Sequence, residues 1–496
     1  MATGDRVDLT VVGAGAAGLY AALTAARAGA RVTLVSATPL AQSSSYWAQG
    51  GLAAALAADD SPALHVEDTV TAGRGATRLG AARVLCAEAG LVLKDLTDLG
   101  VAWDRDRHGR LSLGLEGGHS ARRIVHAGGA ATGRRITRAL SADAAASRLI
   151  EVVEGLRVES LLLDADGCRG VVFADGSRLE SRATLLATGG SAALWSRTTN
   201  PLATIGRGLV VAHAAGAALA DLEMVQFHPT ALAAGGPSDG LLVTEAIRGE
   251  GATLVDADGC RFVDELAPRD EVALAIHRRM EESGAGSVAL DMRSVDPRLF
   301  PNVVGSLRDA GLDATRDLIP VAPAAHYVMG GIETDLHGQS SLPGLLAVGE
   351  CACTGIHGAN RLASNSLTEC FVFGRRAALT ALDSPGRAAT AARPVSAPGP
   401  VLPSPGTRSA LWRDAGLLRS AEGLAELLDD PHPLARMIAA CALAREESRG
   451  AHRRSDFPDR DPSLDGCRTS LQPDGTALLL HWERGEPAPT GSPAPG

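Results

Sequence analysis

A glycine loop near the N-terminus constrains the fold more than any other feature of the chain. An apolar run, Asp8 to Val12, leads into Gly13-Ala14-Gly15-Ala16-Ala17-Gly18. A helical stretch from Leu19 to Ala28 follows, then a stop at Gly29 and a second apolar run, Val32 to Val35. Strand, tight turn, helix and strand within about thirty residues make the βαβ unit of a dinucleotide-binding sheet. Gly13 allows the turn, Gly15 lets a pyrophosphate approach the backbone, and Gly18 lets helix and strand pack closely. The helix N-terminus faces the phosphates. The second strand ends on Ser36 instead of the Asp or Glu that would hold a ribose hydroxyl, which leaves a weaker hydrogen bond there.

Two later segments, Thr184 to Gly190 and Gly344 to Glu350, read as buried strands ending in glycine turns of the same parallel sheet. Between them, from Glu223 to Ala325, charge rises and proline turns recur, as in an inserted domain. The expected plan is α/β: a Rossmann-like dinucleotide domain in two parts (1–222 and 328–384) with an α+β capping domain (223–327) inserted between them. A Pro-rich linker (385–406), a helical C-terminal domain (407–484) and a disordered Pro/Gly tail (485–496) complete it. Helical periodicity runs through Leu411 to Leu428 and His432 to Ser448.

A chain of 496 residues is too long for one core, which agrees with this plan. The formal charge of −10 argues against a nucleic-acid partner, so any anion site must be built locally from Arg and His. No apolar stretch approaches the roughly 18 residues of a membrane span, and the acidic N-terminus does not read as a signal peptide. Cys351, Cys353 and Cys370 lack the paired spacing of a zinc site, so no metal is expected. The chain reads as cytoplasmic and reduced.

Two further groups carry chemistry. The run Ser43-Ser44-Ser45-Tyr46-Trp47-Ala48-Gln49-Gly50-Gly51 has the small hydroxyls and paired glycines of a loop lying against a flat, phosphate-bearing cofactor. The second group is cationic: Gln226-Phe227-His228-Pro229-Thr230, Thr244 to Gly251, Leu266 to Asp270, His326-Tyr327 and Gly358 to Arg361. Singly, each Arg or His here reads as an ordinary surface or structural residue. Together, in Gly- and Pro-bounded loops, they supply the forked and single donors that two substrate carboxylates need.

Taken in order, these motifs resemble the succinate dehydrogenase/fumarate reductase flavoprotein family. The match runs from Asp8 to Leu382 and resumes at Arg445-Glu446-Glu447-Ser448-Arg449-Gly450-Ala451-His452 and Asp456-Phe457-Pro458. The resemblance implies FAD, held by Ala14 to Ala17, Ser44 to Gly51, Glu350, Ser366 and Leu367. It implies a dicarboxylate held by Gln226, His228, Thr244, His326 and Arg361, with Arg269 as the proton-transferring group. That last role comes from the resemblance alone, since arginine is effectively always charged and His or Glu would be the ordinary choice of acid or base.

Two positions separate the family's substrates. Members that attach FAD covalently do so through a histidine where this chain has Ser44, so the flavin is expected to be non-covalent. Glu116, in Leu115 to Arg123, matches an acidic residue of the aspartate-oxidising members, and a carboxylate in a cationic pocket suits a substrate ammonium. The expected reaction takes L-aspartate to iminoaspartate, with electrons passed to oxygen or fumarate and the product used by quinolinate synthase in NAD biosynthesis. The alternatives are a soluble fumarate reductase or succinate-oxidising enzyme, and a flavoprotein subunit of a larger complex. Arg207, Ala130 and Ser36 depart from the family pattern on the cofactor side.

Overall fold

The computed structural model describes residues 7–40, 43–383, 392–395 and 402–482. The first six residues, positions 385–391 and 396–401 of the expected linker, and the expected tail lie outside the described residues.

Strand Val7–Val12 pairs in parallel with Val32–Ser36 on one side and Arg178–Leu186 on the other. Val32–Ser36 takes Ile150–Glu154 as its next neighbour, and Arg178–Leu186 also takes Leu345–Ala347, both in parallel. The two glycine-ended runs read from the sequence therefore lie side by side. Parallel strands are buried on both faces, and this accounts for their unbroken apolar character. An antiparallel meander, Val158–Asp164 and Gly167–Phe173, extends the sheet from the other edge of Arg178–Leu186.

Helix Ala16–Arg27 is almost entirely buried, packed between this sheet and helix Asn365–Asp383. Its alanines, with Gly374 on the opposing helix, permit that close approach. Gly13, at φ +112°, turns the chain from strand to helix, and a β-carbon there would collide with the Ala187 carbonyl. A glycine is required at that position on both counts.

The inserted segment forms a four-stranded antiparallel sheet in the order Val225–Leu232, Ile319–Val328, Val288–Asp291, Thr253–Val255. It has its own apolar core, including Leu254, Ile276, Leu290 and Leu307. Helix Arg269–Ser283 packs on this sheet and begins at Pro268.

The C-terminal part differs from the all-helical expectation. Helices Pro405–Asp414, Ala421–Leu427 and Pro433–Ala444 are followed by the hairpin Cys467–Leu471/Ala477–His481. Leu411 to Leu428 is two helices instead of one, because the first ends at the Ala415-Gly416 turn and Ser420 caps a new one. The hairpin adds to a sheet already formed by Leu219–Ala220, Gly331–Glu333 and Ala352–Cys353. The hairpin itself is local, closed by the turn at Asp474-Gly475, but a helical reading passes over it, and its docking on Leu219–Ala220 has no local signal.

Candidate active site

The cofactor side is built around the start of helix Ala16–Arg27. Gly15 caps it with no side-chain bond, and the Ala16 N–H donates to Ser45 Oγ at 3.1 Å. The second glycine loop is thereby tied to the first. Ser44 Oγ lies 3.1 Å from Thr204 Oγ1. Buried in the same loop, Ser43 Oγ and Gln49 Oε1 have no hydrogen-bond partner among the described residues. Buried polar atoms of this kind are costly unless something bonds to them, so the loop fits a polar, phosphate-bearing group. Gly51 lies against the Val125 carbonyl, and Gly50 faces Ser364. Glu350 is pushed up to about 7 by burial and accepts from the Val328 N–H. Leu367 is buried.

Two predicted cofactor residues are placed less favourably. Trp47 is 68% exposed, its ring edge-on to Tyr46. The Ser36 hydroxyl donates to the Thr38 carbonyl at 2.6 Å, which leaves it only as an acceptor for a ribose hydroxyl.

The cationic side draws on both parts of the molecule. Gln226 and His228 alternate along one strand and so share a face. His326 is the extra residue of a β-bulge: Tyr327 pairs with Gln226 and Ala325 with Phe227, which leaves His326 between them unpaired. Bulges re-aim side chains, and this one brings the His326 ring to 5.2 Å from that of His228. Gln226 Oε1 accepts from Arg269 Nη1 at 3.1 Å and from Arg361 Nε at 3.2 Å, so a single amide spaces the two guanidiniums. Arg361 also donates to Ser366 Oγ at 2.6 Å and lies over the Tyr327 ring. Thr244 is half-buried beside Glu245.

Glu116 follows the short strand Leu113–Gly114, and its side chain is 13% exposed. Ser364 Oγ donates to its Oε2 at 2.6 Å. The loop that carries Glu116 is anchored by Arg123, fully buried between Asp60 at 2.8 Å and Asp68 at 2.5 Å.

The charges settle the form of each group. Burial, followed by Arg269, His326, Arg248 and Arg361, drives the His228 pKa well below its ordinary value, and burial with Arg361 and Arg269 does the same to His326. Both imidazoles are therefore neutral. His228 Nδ1 accepts from the Thr230 N–H, which leaves its Nε2–H free to donate. Burial and Arg269 bring Arg361 down to about 10, so it stays cationic at neutral pH. Burial raises the Glu116 pKa, but His126, Ser364 and Arg269 outweigh that and hold it below its ordinary value.

Sequence reasoning did not assign several residues at this site. Glu245 Oε2 accepts from Arg269 Nε at 2.6 Å, and Arg248 stands behind it with Nη2 3.9 Å from Glu245 Oε1. Both lie in the Thr244 to Gly251 run, three residues apart on one helical face, a spacing that was visible in the sequence. Ser364 has no such signal, because its role depends on a left-handed backbone (φ +61°). The thiols of Cys351 and Cys353 are buried, donating to the Leu186 and Val348 carbonyls and to Asp221 respectively.

A glycine-loop dinucleotide site faced by buried arginines and neutral histidines defines an FAD-dependent oxidoreductase. A family model for an FAD binding domain matches residues 8–367, and one for the fumarate reductase flavoprotein C-terminus matches 425–477. The chain is 47% identical to an L-aspartate oxidase of Caulobacter vibrioides over 95% of its length and 97% of that protein's. It is 43% identical to one of Streptomyces coelicolor over 97% and 94%. The FrdA chain of an E. coli quinol fumarate reductase mutant superposes with a TM-score of 0.86 at 28% identity, covering 99% of this chain and 98% of that one. The chain belongs to the succinate dehydrogenase/fumarate reductase flavoprotein family, on the branch of the L-aspartate oxidases.

Proposed function

We propose that the protein oxidises L-aspartate to iminoaspartate with non-covalently bound FAD, passing the electrons to oxygen or fumarate. The observation that carries this reading is Glu116, a buried carboxylate held by Ser364 at the edge of a cation-rich pocket and, unlike Glu245 beside Arg269, hydrogen-bonded to no arginine among the described residues. Arg361 and Arg269 match two substrate carboxylates, neutral His228 and His326 add single donors with Gln226 and Thr244 beside them, and Glu116 faces the ammonium. Bound FAD supplies the two-electron acceptor for the hydrogen leaving the α-carbon. Ser44 offers only a hydroxyl, bonded to Thr204, where covalent attachment would need a histidine. Arg269, paired with Glu245, is the proton-transferring group for carbon when fumarate is the acceptor.

A cytoplasmic enzyme of NAD biosynthesis, with quinolinate synthase taking the product, completes the reading. Among the described residues no helix is long and apolar enough to cross a membrane.

Aerobic turnover tests the proposal. Hydrogen peroxide should form with L-aspartate and not with succinate; the converse result would establish the fumarate reductase or succinate-oxidising alternative instead. Glu116→Gln should lower aspartate oxidation by about 10²-fold more than fumarate reduction, as expected for a charged partner lost from a buried site. Acid precipitation should release the flavin into the supernatant.

A further inference from the structure

Oxidising aspartate and reducing fumarate place the proton problem at different atoms. Reducing fumarate adds a hydride to one carbon and a proton to the next. Oxidising aspartate removes a hydride from the α-carbon and a proton from nitrogen, because the ammonium must become an amine before a C=N bond can form. Arg269 and Glu245 serve the carbon side, so the nitrogen proton needs its own route out, beginning at the carboxylate that faces the ammonium.

Two histidines flank Glu116. His119 is buried, with Nε2 2.9 Å from the Ala363 carbonyl oxygen and Nδ1 3.4 Å from Arg123 Nη1. Both its nitrogens are committed, and burial lowers its pKa, so it cannot pass a proton to water. His126 differs on each point. It directly follows strand Ile124–Val125, is 26% exposed, and places Nε2 3.8 Å from Glu116 Oε1. Its reach depends on Gly114: the ring lies across that residue, and a β-carbon there would come within 3.1 Å of the ring Cε1. Ser364 takes one oxygen of Glu116 and His126 stands at the other, so the carboxylate has a fixed side and an open side.

We infer that His126 is the proton exit for the amine: Glu116 receives the proton from the substrate ammonium on its Oε1 side, and His126 relays it to water. The inference rests on the aspartate reading of the pocket. One N–H bond of the ammonium breaks and leaves its electron pair on nitrogen, the proton going to Glu116 and on through His126. That pair then forms the C=N bond as the Cα–H bond breaks, its two electrons leaving with the hydrogen as hydride to the bound acceptor. An imidazole has two ring nitrogens, so the partly exposed His126 can take a proton on the Glu116 side and release one on the solvent side, which the buried carboxylate cannot do alone. The other charged groups facing Glu116 are Arg269, Arg361, Glu245 and His119. The two arginines are cations that hold the carboxylate charged, Glu245 is engaged with Arg269, and His119 is sealed.

The test compares His126→Gln with the unaltered enzyme as loaded holoenzyme, with flavin content and circular dichroism confirming an intact fold. Turnover with aspartate should fall by about 10²-fold, its acid limb in the pH profile should be lost, and added imidazole should restore part of the rate. Fumarate reduction with a chemical reductant should fall by less than a tenth of that factor. A second variant, Gly114→Ala, which displaces the ring without removing it, should show a weaker form of the same asymmetry. An unchanged pH profile, or equal losses in both reactions, would overturn the relay while leaving aspartate oxidation by the unaltered enzyme in place. Absence of aspartate oxidation in the unaltered enzyme would instead overturn the reading of the pocket, and the relay with it.

Discussion

Arg445 and Arg361 are both buried arginines, yet their surroundings differ. Arg445 donates to Glu223 at 2.7 Å, to Glu447 at 3.0 Å, to Asp221 at 3.5 Å and to the Cys467 carbonyl. Burial lowers its pKa, but Glu223, Asp221 and Glu447 more than reverse this. Arg449 shares Glu447 and continues to Asp465 and the Arg74 carbonyl. This cluster joins the C-terminal segment to the rest of the chain, and its cations are matched by carboxylates. Arg361 donates only to an amide oxygen and a hydroxyl and has no ion pair among the described residues. Arg248, buried in the inserted segment, leaves Nε without a hydrogen bond among the described residues, and its Nη2 reaches only a 3.9 Å ion pair with Glu245. A protein that leaves cations uncompensated in its interior tolerates a desolvation cost. We propose that an anionic substrate offsets that cost at Arg361, whereas the Arg445 cluster, matched by its own carboxylates, is a structural joint.

The most damaging way to break the contrast is Arg445→Met. It takes the cation from Glu223 and Asp221, while Glu447 keeps Arg449, and should cost about 3–5 kcal/mol in urea unfolding, enough to unfold a marginal domain. Loss of less than about 1 kcal/mol would show that the joint is not the balanced cluster described.

Arg361→Lys should do the opposite. The charge remains and the fork is lost, so stability should shift little while turnover drops by about 10²-fold. A stability loss comparable to that of the Arg445 variant would erase the distinction between site and joint.

The smallest effect concerns pH. Burial and Glu223 push Asp221 up to about 7, against about 3.9 for an unfolded aspartate. The folded state therefore keeps a proton that the unfolded chain releases. Stability from this group is present below about pH 4 and is lost as pH rises towards 7. Asp221→Asn preserves the shape and tolerates the left-handed backbone at φ +53°. It should flatten the fall in urea midpoint between about pH 4 and 7, and parallel slopes in the two proteins would contradict the assignment.

Much of this was legible in the chain. The βαβ unit at Gly13 and the strands at Thr184 and Gly344 carry local signatures, because glycine turns and apolar runs act over a few residues, whereas Gln226, His228, Arg269 and Arg361 were singled out through the family resemblance. The hairpin Cys467–Leu471/Ala477–His481 was legible from its Asp474-Gly475 turn but went unread, and only its docking on the distant Leu219–Ala220 lacked a local signal. His126 and Ser364 carry no signature of their own in the sequence. What makes each matter is contact with Glu116, which no local pattern encodes.

By itself the sequence determined a strand–turn–helix of the dinucleotide-binding type at Gly13 to Gly18 and an inserted segment with arginine and histidine in its loops, because both depend on residue type at short spacing. Only the tertiary structure decided which charges are matched and which are not. It set Gln226 between Arg269 and Arg361, used a bulge to turn His326 towards His228, and placed Ser364 and His126 on either side of Glu116. The physical reason is that a charge acquires its function from its burial and its neighbours, and those are set when distant segments pack together.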